Sequence, residues 1–206
     1  MQTRAVSAPE AKATADVYRF LATVFTTHPT QESVDAVRRM AGELGITCAE
    51  DFNLSQLDRE YMALFVVPNA RYVAPYESVF RDRWLLPVAP KPGVADGATS
   101  VMIKGLVMGE STMAVRACYQ QAGVVPREEL PDHIGNELRF MAYLWEREAE
   151  SPPDQAAIIA GWRTQFHDEH VMKWIGQLRH RLAESDDMGY YRVVVQIAET
   201  VVEDDA

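Results

Sequence analysis

Apolar residues recur at spacings of three and four along nearly all of this 206-residue chain, a period that leaves little room for any fold but packed helices. Ser7 with Glu10 three residues on forms a capping box, Pro9 suits a first turn, and Val17, Leu21, Val24 and Phe25 then share one face. Pro29 ends that helix. Thr30 caps a second, with Val34, Val37, Ala41 and Leu44 inward and Gly45 as its stop; a third carries Leu54, Leu57, Tyr61, Leu64 and Phe65 up to Pro68. Residues 111–121 read as a helix closed by Gly123, and Ser151-Pro152-Pro153 separates two later ones. From Asp154 the pattern runs through Ile158, Trp162, Phe166, His170, Trp174, Leu178 and Leu182, long enough to hide a kink near His167. The last helix, from about Met188, puts Tyr191, Val194, Ala198 and Val201 on one side. Val193-Val194-Val195 has strand propensity, but the spacing decides for helix.

Residues 66–100 interrupt this texture. Pro68, Pro75, Pro87, Pro90, Pro92, Gly93 and Gly97 forbid a long helix and predict a loop with one or two short turns, after which helical texture returns at Val101. No strand pair with a hairpin signal, no fixed-period repeat and no low-complexity segment is visible, so the expected class is all-α. At 48% hydrophobic residues the chain can bury a sizeable core, as one domain or two small ones. A net charge of −10 and a pI near 5.0 argue against nucleic-acid binding and make a basic partner easier to accommodate. Cys48 and Cys118 are far apart, in no metal or redox spacing, and read as reduced packing residues. The first residues lack an apolar signal-peptide core, and no run approaches the roughly 18 apolar residues of a membrane span. The chain is therefore expected to stay in the cytoplasm. Gly105 and Gly109 follow Lys104 in no phosphate-loop order, which leaves no ground for a nucleotide or other cofactor.

Residues 129–141 read E-L-P-D-H-I-G-N-E-L-R-F-M. Pro131 suits a first turn and Asp132 would face the positive end of a helix dipole, so a helix is predicted to start near Pro131. Ile134, Leu138, Met141 and Trp145 form its core stripe, with His133 and Glu137 as a polar pair on a neighbouring face. An imidazole oriented by Asp132 with Glu137 as base would suit an enzyme; an ordinary helix start needs the same residues. His167, Asp168, Glu169 and His170 are the most metal-like group, and a metal-dependent hydrolase would use His133, His167, Asp168 and His170 as ligands with Glu137 as base. The spacing of Phe166, His170 and Trp174 fits a core stripe with a buried imidazole better. Tyr76, Phe80 and Trp84 recur every four residues after Pro75, either as the buried face of a short helix or as an apolar groove wall.

The pattern E-x-P-D-H-I-x-x-E-L-x-F-M resembles the signature of the TorD/DmsD molybdoenzyme maturation chaperones. Two further segments are similar to that family and fall in its order: P-Y-E-S-V-F at 75–80, preceded by Y-M-A-L-F at 61–65, and F-H-D-E-H-V-M-K-W at 166–174. Together they span about residues 60–175. The resemblance implies a helical bundle with a larger N-terminal part (1–123) and a smaller C-terminal part (134–206) joined by a hinge at 124–133. It implies a non-enzymatic cytoplasmic chaperone that binds the twin-arginine signal peptide of a molybdenum or tungsten cofactor oxidoreductase, supporting folding and cofactor insertion before export. The signal-peptide residues it implies are Tyr76, Ser78, Phe80, Pro131, Asp132, His133 and Glu137, with His170 and Trp174 packed in support. A monomer or a domain-swapped dimer fits the resemblance, with no bound metal or cofactor. A scaffold that grips only the mature client is the alternative within the same class. Two arginines followed by an apolar segment call for a hydrophobic trough bordered by carboxylates.

Overall fold

The computed structural model describes residues 7–87, 100–125 and 130–205. Helix α1 (Ala8–Thr26) starts as its sequence predicts: Ser7 Oγ accepts from the Glu10 amide while the Glu10 carboxylate accepts from the Ser7 amide and hydroxyl. Two otherwise orphaned N–H groups are thereby satisfied. Ala11, Ala15, Tyr18, Leu21, Ala22 and Phe25 are buried, and their face packs along α6 (Ile134–Glu150). At the start of α6 the two helices nearly touch. A Cβ on Gly135 would run into the Thr26 methyl and crowd the Ala22 carbonyl.

Helix α2 (Gln31–Glu43) is capped by Thr30, whose Oγ1 accepts from the Ser33 amide, and α3 (Leu54–Tyr61) by Asn53, whose side chain accepts from Gln56. Helix α3 runs on into a π-turn at Met62–Val66. After α4 (Glu77–Arg81), one of the short turns expected in the proline-rich stretch, come two strands that correct the reading of this region. Strands β1 (Arg83–Pro87) and β2 (Ser100–Lys104) pair antiparallel with Trp84 opposite Ile103 and Leu85 opposite Met102. The expected helical texture at Val101 is thus a strand. The hairpin signal failed because residues 88–99 separate the strands, where a tight Asn-Gly or Asp-Gly turn would have marked them. Those residues, which hold Pro90, Pro92, Gly93 and Gly97, lie outside the described part.

Helix α5 (Glu110–Gln121) ends before Gly123, whose φ of 72° fits the expected stop. The long pattern from Asp154 is two helices, α7 (Pro153–Phe166) and α8 (Met172–Ser185), joined by a π-turn at His167–Val171. The irregularity falls where the kink was expected, and it carries both His167 and His170 into the interior. Helix α9 (Tyr190–Asp204) buries Val193, Val194 and Val195 as helix. Asp205 ties the bundle ends together: it accepts from Tyr18 (2.9 Å), Trp145 Nε1 (3.0 Å) and Arg163 (3.0 Å), and the Arg163 guanidinium lies 3.6 Å over the Trp145 ring.

Apart from the ribbon the fold is all-α. Buried apolar side chains from α1 to α9 belong to one core cluster, in which α1 of the predicted first part packs on α6 of the second. Of the predicted hinge at 124–133, residues 126–129 lie outside the described part. Among the described residues no helix is long and apolar enough to cross a membrane.

Candidate functional site

Helix α6 starts at Ile134, later than the predicted start near Pro131, and the reason is tertiary. His133 is extended (φ −71°, ψ 136°) and forms a short antiparallel bridge with Tyr76. Ile134 N donates to Pro75 O and Glu77 N to Asp132 O, both at 2.9 Å, so residues 132–133 act as a strand and cannot join the helix. His133 takes the cap itself, its Nδ1 accepting from Gly135 N at 3.0 Å. Asp132 does not face the helix dipole as predicted. It is fully buried, and its Oδ2 accepts from Ser78 N at 3.0 Å.

Nor do His133 and Glu137 form a surface pair, since both are buried and each has its own partners. The His133 ring stands edge-on to Tyr76, at 5.1 Å and 74°. Burial first, then the Arg139 charge, lowers its imidazole to about 4, which keeps it neutral and suits an acceptor Nδ1. Glu137 Oε2 accepts from Trp174 Nε1 at 2.9 Å, and the Glu77 carboxylate is its close neighbour. Burial, then the neighbouring Glu77 and Asp132 carboxylates, raise its carboxyl well above the usual range, although the Trp174 bond opposes them. Glu137 is therefore held toward its neutral, protonated form.

Glu77 is the centre of this knot, and the sequence reading missed it. It is fully buried at the start of α4, is bonded by Arg81 one turn on, and meets His170 Nδ1 at 2.9 Å. Arg81 also donates to the Glu169 carbonyl at 2.7 Å, so α4 is fastened to the π-turn at two points. On the far side of the imidazole, His170 Nε2 lies 3.7 Å from Cys118 Sγ. Burial pulls the His170 imidazole down, but its bonds to Cys118 and Glu77 outweigh burial and carry it up to about 9. Tyr119 completes the floor, its hydroxyl donating to Pro131 O at 2.9 Å. The Glu77/Arg81 spacing of four was a readable sign of a helical ion pair; that the pair would be buried against His170 was not.

The predicted residues thus come together, at different depths. Ser78, Pro131, Asp132, His133 and Glu137 are buried; Tyr76 and Phe80 are half-buried, with Phe80 stacked on Trp174 at 5.4 Å. The metal-like imidazoles diverge. His167 bonds Val202 O and Asp168, each at 2.8 Å, His170 bonds Glu77 and Cys118, and His133 caps α6. Among the described residues no group of three or more His, Cys, Asp or Glu side chains could hold a metal ion. Beside the knot a groove of about 510 Å³ runs between Arg81, Asp82, Glu110, Glu169 and Lys173, with His170 in its wall.

Three segments far apart in sequence, 75–80, 131–137 and 166–174, build one knot, and the family comparison covers all three. The family model for the nitrate reductase delta subunit matches residues 26–180. The chain belongs to this TorD-like family. It is a family of redox enzyme maturation chaperones for molybdoenzymes of the nitrate reductase kind, not of catalysts. Among solved structures the chain is similar to a proposed redox enzyme maturation protein from Archaeoglobus fulgidus, at 19% identity over 73% of this chain and 91% of that one, with a TM-score of 0.37. No curated protein matches the sequence.

Proposed function

We propose that this family member holds its client through a twin-arginine signal peptide, in the cytoplasm, until the client's cofactor is in place. The observation that carries this reading is the docking of residues 75–80 onto residues 131–137 around the Glu77–His170 pair. It supports a division of labour. Tyr76 and Phe80, half-exposed, offer aromatic area to an apolar peptide segment, whereas Ser78, Asp132, His133 and Glu137 act from beneath by fixing the docked segment. Direct contact between those buried groups and a leader would require residues 75–80 to lift from α6. The arginines instead meet the carboxylates that line the groove, the exposed Glu110 and Glu169 and the neighbouring Asp82. The net charge of −10 favours the approach of such a cationic peptide.

Titration calorimetry of the full chain with a synthetic leader carrying Arg-Arg, and with its Lys-Lys counterpart, tests this. The Arg-Arg peptide is expected to bind more tightly, and Glu110→Gln with Glu169→Gln to erase most of the difference. Equal heats from the two peptides, or none from either, would reject the reading.

A further inference from the structure

Cys118 stands at the end of a relay whose members come from three separate elements. Its Sγ on α5 lies 3.7 Å from Nε2 of His170, in the π-turn, and the other ring nitrogen, Nδ1, lies 2.9 Å from Glu77 Oε2 on α4. Thiol, imidazole and carboxylate are in series. A carboxylate on Nδ1 stabilises the doubly protonated imidazolium, so the ring can hold at Nε2 the proton that comes from sulfur. The imidazole is also held sideways, with Phe166 packed on it at 4.9 Å and 33°. Behind it Glu77 is anchored by Arg81. Cys118 as a residue is half-exposed and lies one helical turn beyond Ala114, which lines the groove together with His170. A cysteine that only fills space needs none of this.

We propose that Cys118 is a reactive thiol, activated by His170 and Glu77, and that it is a site of oxidation by hydroperoxides. In the step, the sulfur, whose proton rests on His170 Nε2, attacks one peroxide oxygen. The O–O bond breaks, an S–OH bond forms, and the departing hydroxide takes the proton from His170 as water. Sulfur loses two electrons and the peroxide gains them, so no further reductant or oxidant is needed. Acyl transfer is a poorer fit. Cys118 lies well inside α5, where neighbouring amides are bonded within the helix and leave no donors near Sγ for an oxyanion. The same His170–Glu77 bond fastens the π-turn to α4, so a sulfenic acid at Cys118 sits directly behind the contact that holds residues 75–80 in place. This inference stands apart from the signal-peptide reading and survives its failure.

Cys48 is an internal control: it is also a free, half-exposed thiol, and burial raises it. The test alkylates the full chain with iodoacetamide between pH 5.5 and 8.5 and follows each cysteine by peptide mass spectrometry, then repeats the mapping with dimedone after hydrogen peroxide. Cys118 is expected to react about tenfold faster than Cys48 at pH 7, to keep more of its rate toward pH 6, and to carry the dimedone adduct. His170→Gln should remove the advantage while Cys48 is unchanged. If that variant does not fold, the pH profile of the unaltered chain decides. Alkylation of Cys118 no faster than of Cys48 across the pH range, or dimedone labelling equal at the two sites or missing from Cys118, would overturn the proposal.

Discussion

Tyr119→Phe isolates the bond that holds the start of the motif. The hydroxyl donates to the Pro131 carbonyl at 2.9 Å, and the residue is 1% exposed. Its ring contacts with Phe140 at 4.5 Å and Phe166 at 5.9 Å stay available to phenylalanine, so the change deletes one donor and little packing. A buried carbonyl deprived of its donor costs about 1–3 kcal/mol. With a urea m-value near the upper end for small proteins, about 3 kcal/mol/M, the midpoint should fall by roughly 0.3–1 M with m unchanged. The loss should also be local. The amides of Ile134 and Glu77, which bond Pro75 O and Asp132 O, should exchange faster than global destabilisation alone explains. A midpoint within about 0.1 M of the parent, with unchanged exchange at both amides, would refute the claim that this hydroxyl fastens Pro131 to α5.

Two other perturbations test the packing and the electrostatics of the same region. Gly135→Ala should destabilise by about 1–3 kcal/mol despite a better helix former, because its methyl meets Thr26 and the Ala22 carbonyl on α1; adding Thr26→Ser should restore most of the loss in a thermal melt. Glu137 has a folded pKa above its unfolded value, so its contribution to stability is full below the unfolded value of 4.5 and declines as pH rises toward the folded one. Glu137→Gln should therefore flatten the fall in urea midpoint between pH 5 and pH 8, and an unchanged slope would show that the carboxyl is not held protonated.

Much of the fold was legible because capping and periodicity are local. Ser7, Thr30 and Gly123 act as their residue types require, and the length of the helical pattern through His167 pointed to the irregularity that the π-turn supplies. The start of α6 was misplaced for want of one fact: residues 75–77 pair with residues 132–134, and backbone engaged in a bridge cannot also be helical. Strand β2 was misread for a related reason. Its pairing with β1 is not announced by any turn dipeptide, and a short apolar run is ambiguous without its partner.

The site divides along the same line. That Pro131, Asp132, His133, Glu137, Tyr76 and Phe80 would come together was implied by the family resemblance, and the acidic character of the chain was readable directly. Which of them face water was not. Glu137 reads as a surface carboxyl on helical spacing, yet Trp174 and Glu77 enclose it, and His170 finds its carboxylate 93 positions away in the chain. Hydrophobic period reports which face of a helix turns from solvent, because that depends on neighbours three and four residues away. The partner of a buried polar group, and hence its charge and reactivity, depends on segments that only folding brings together.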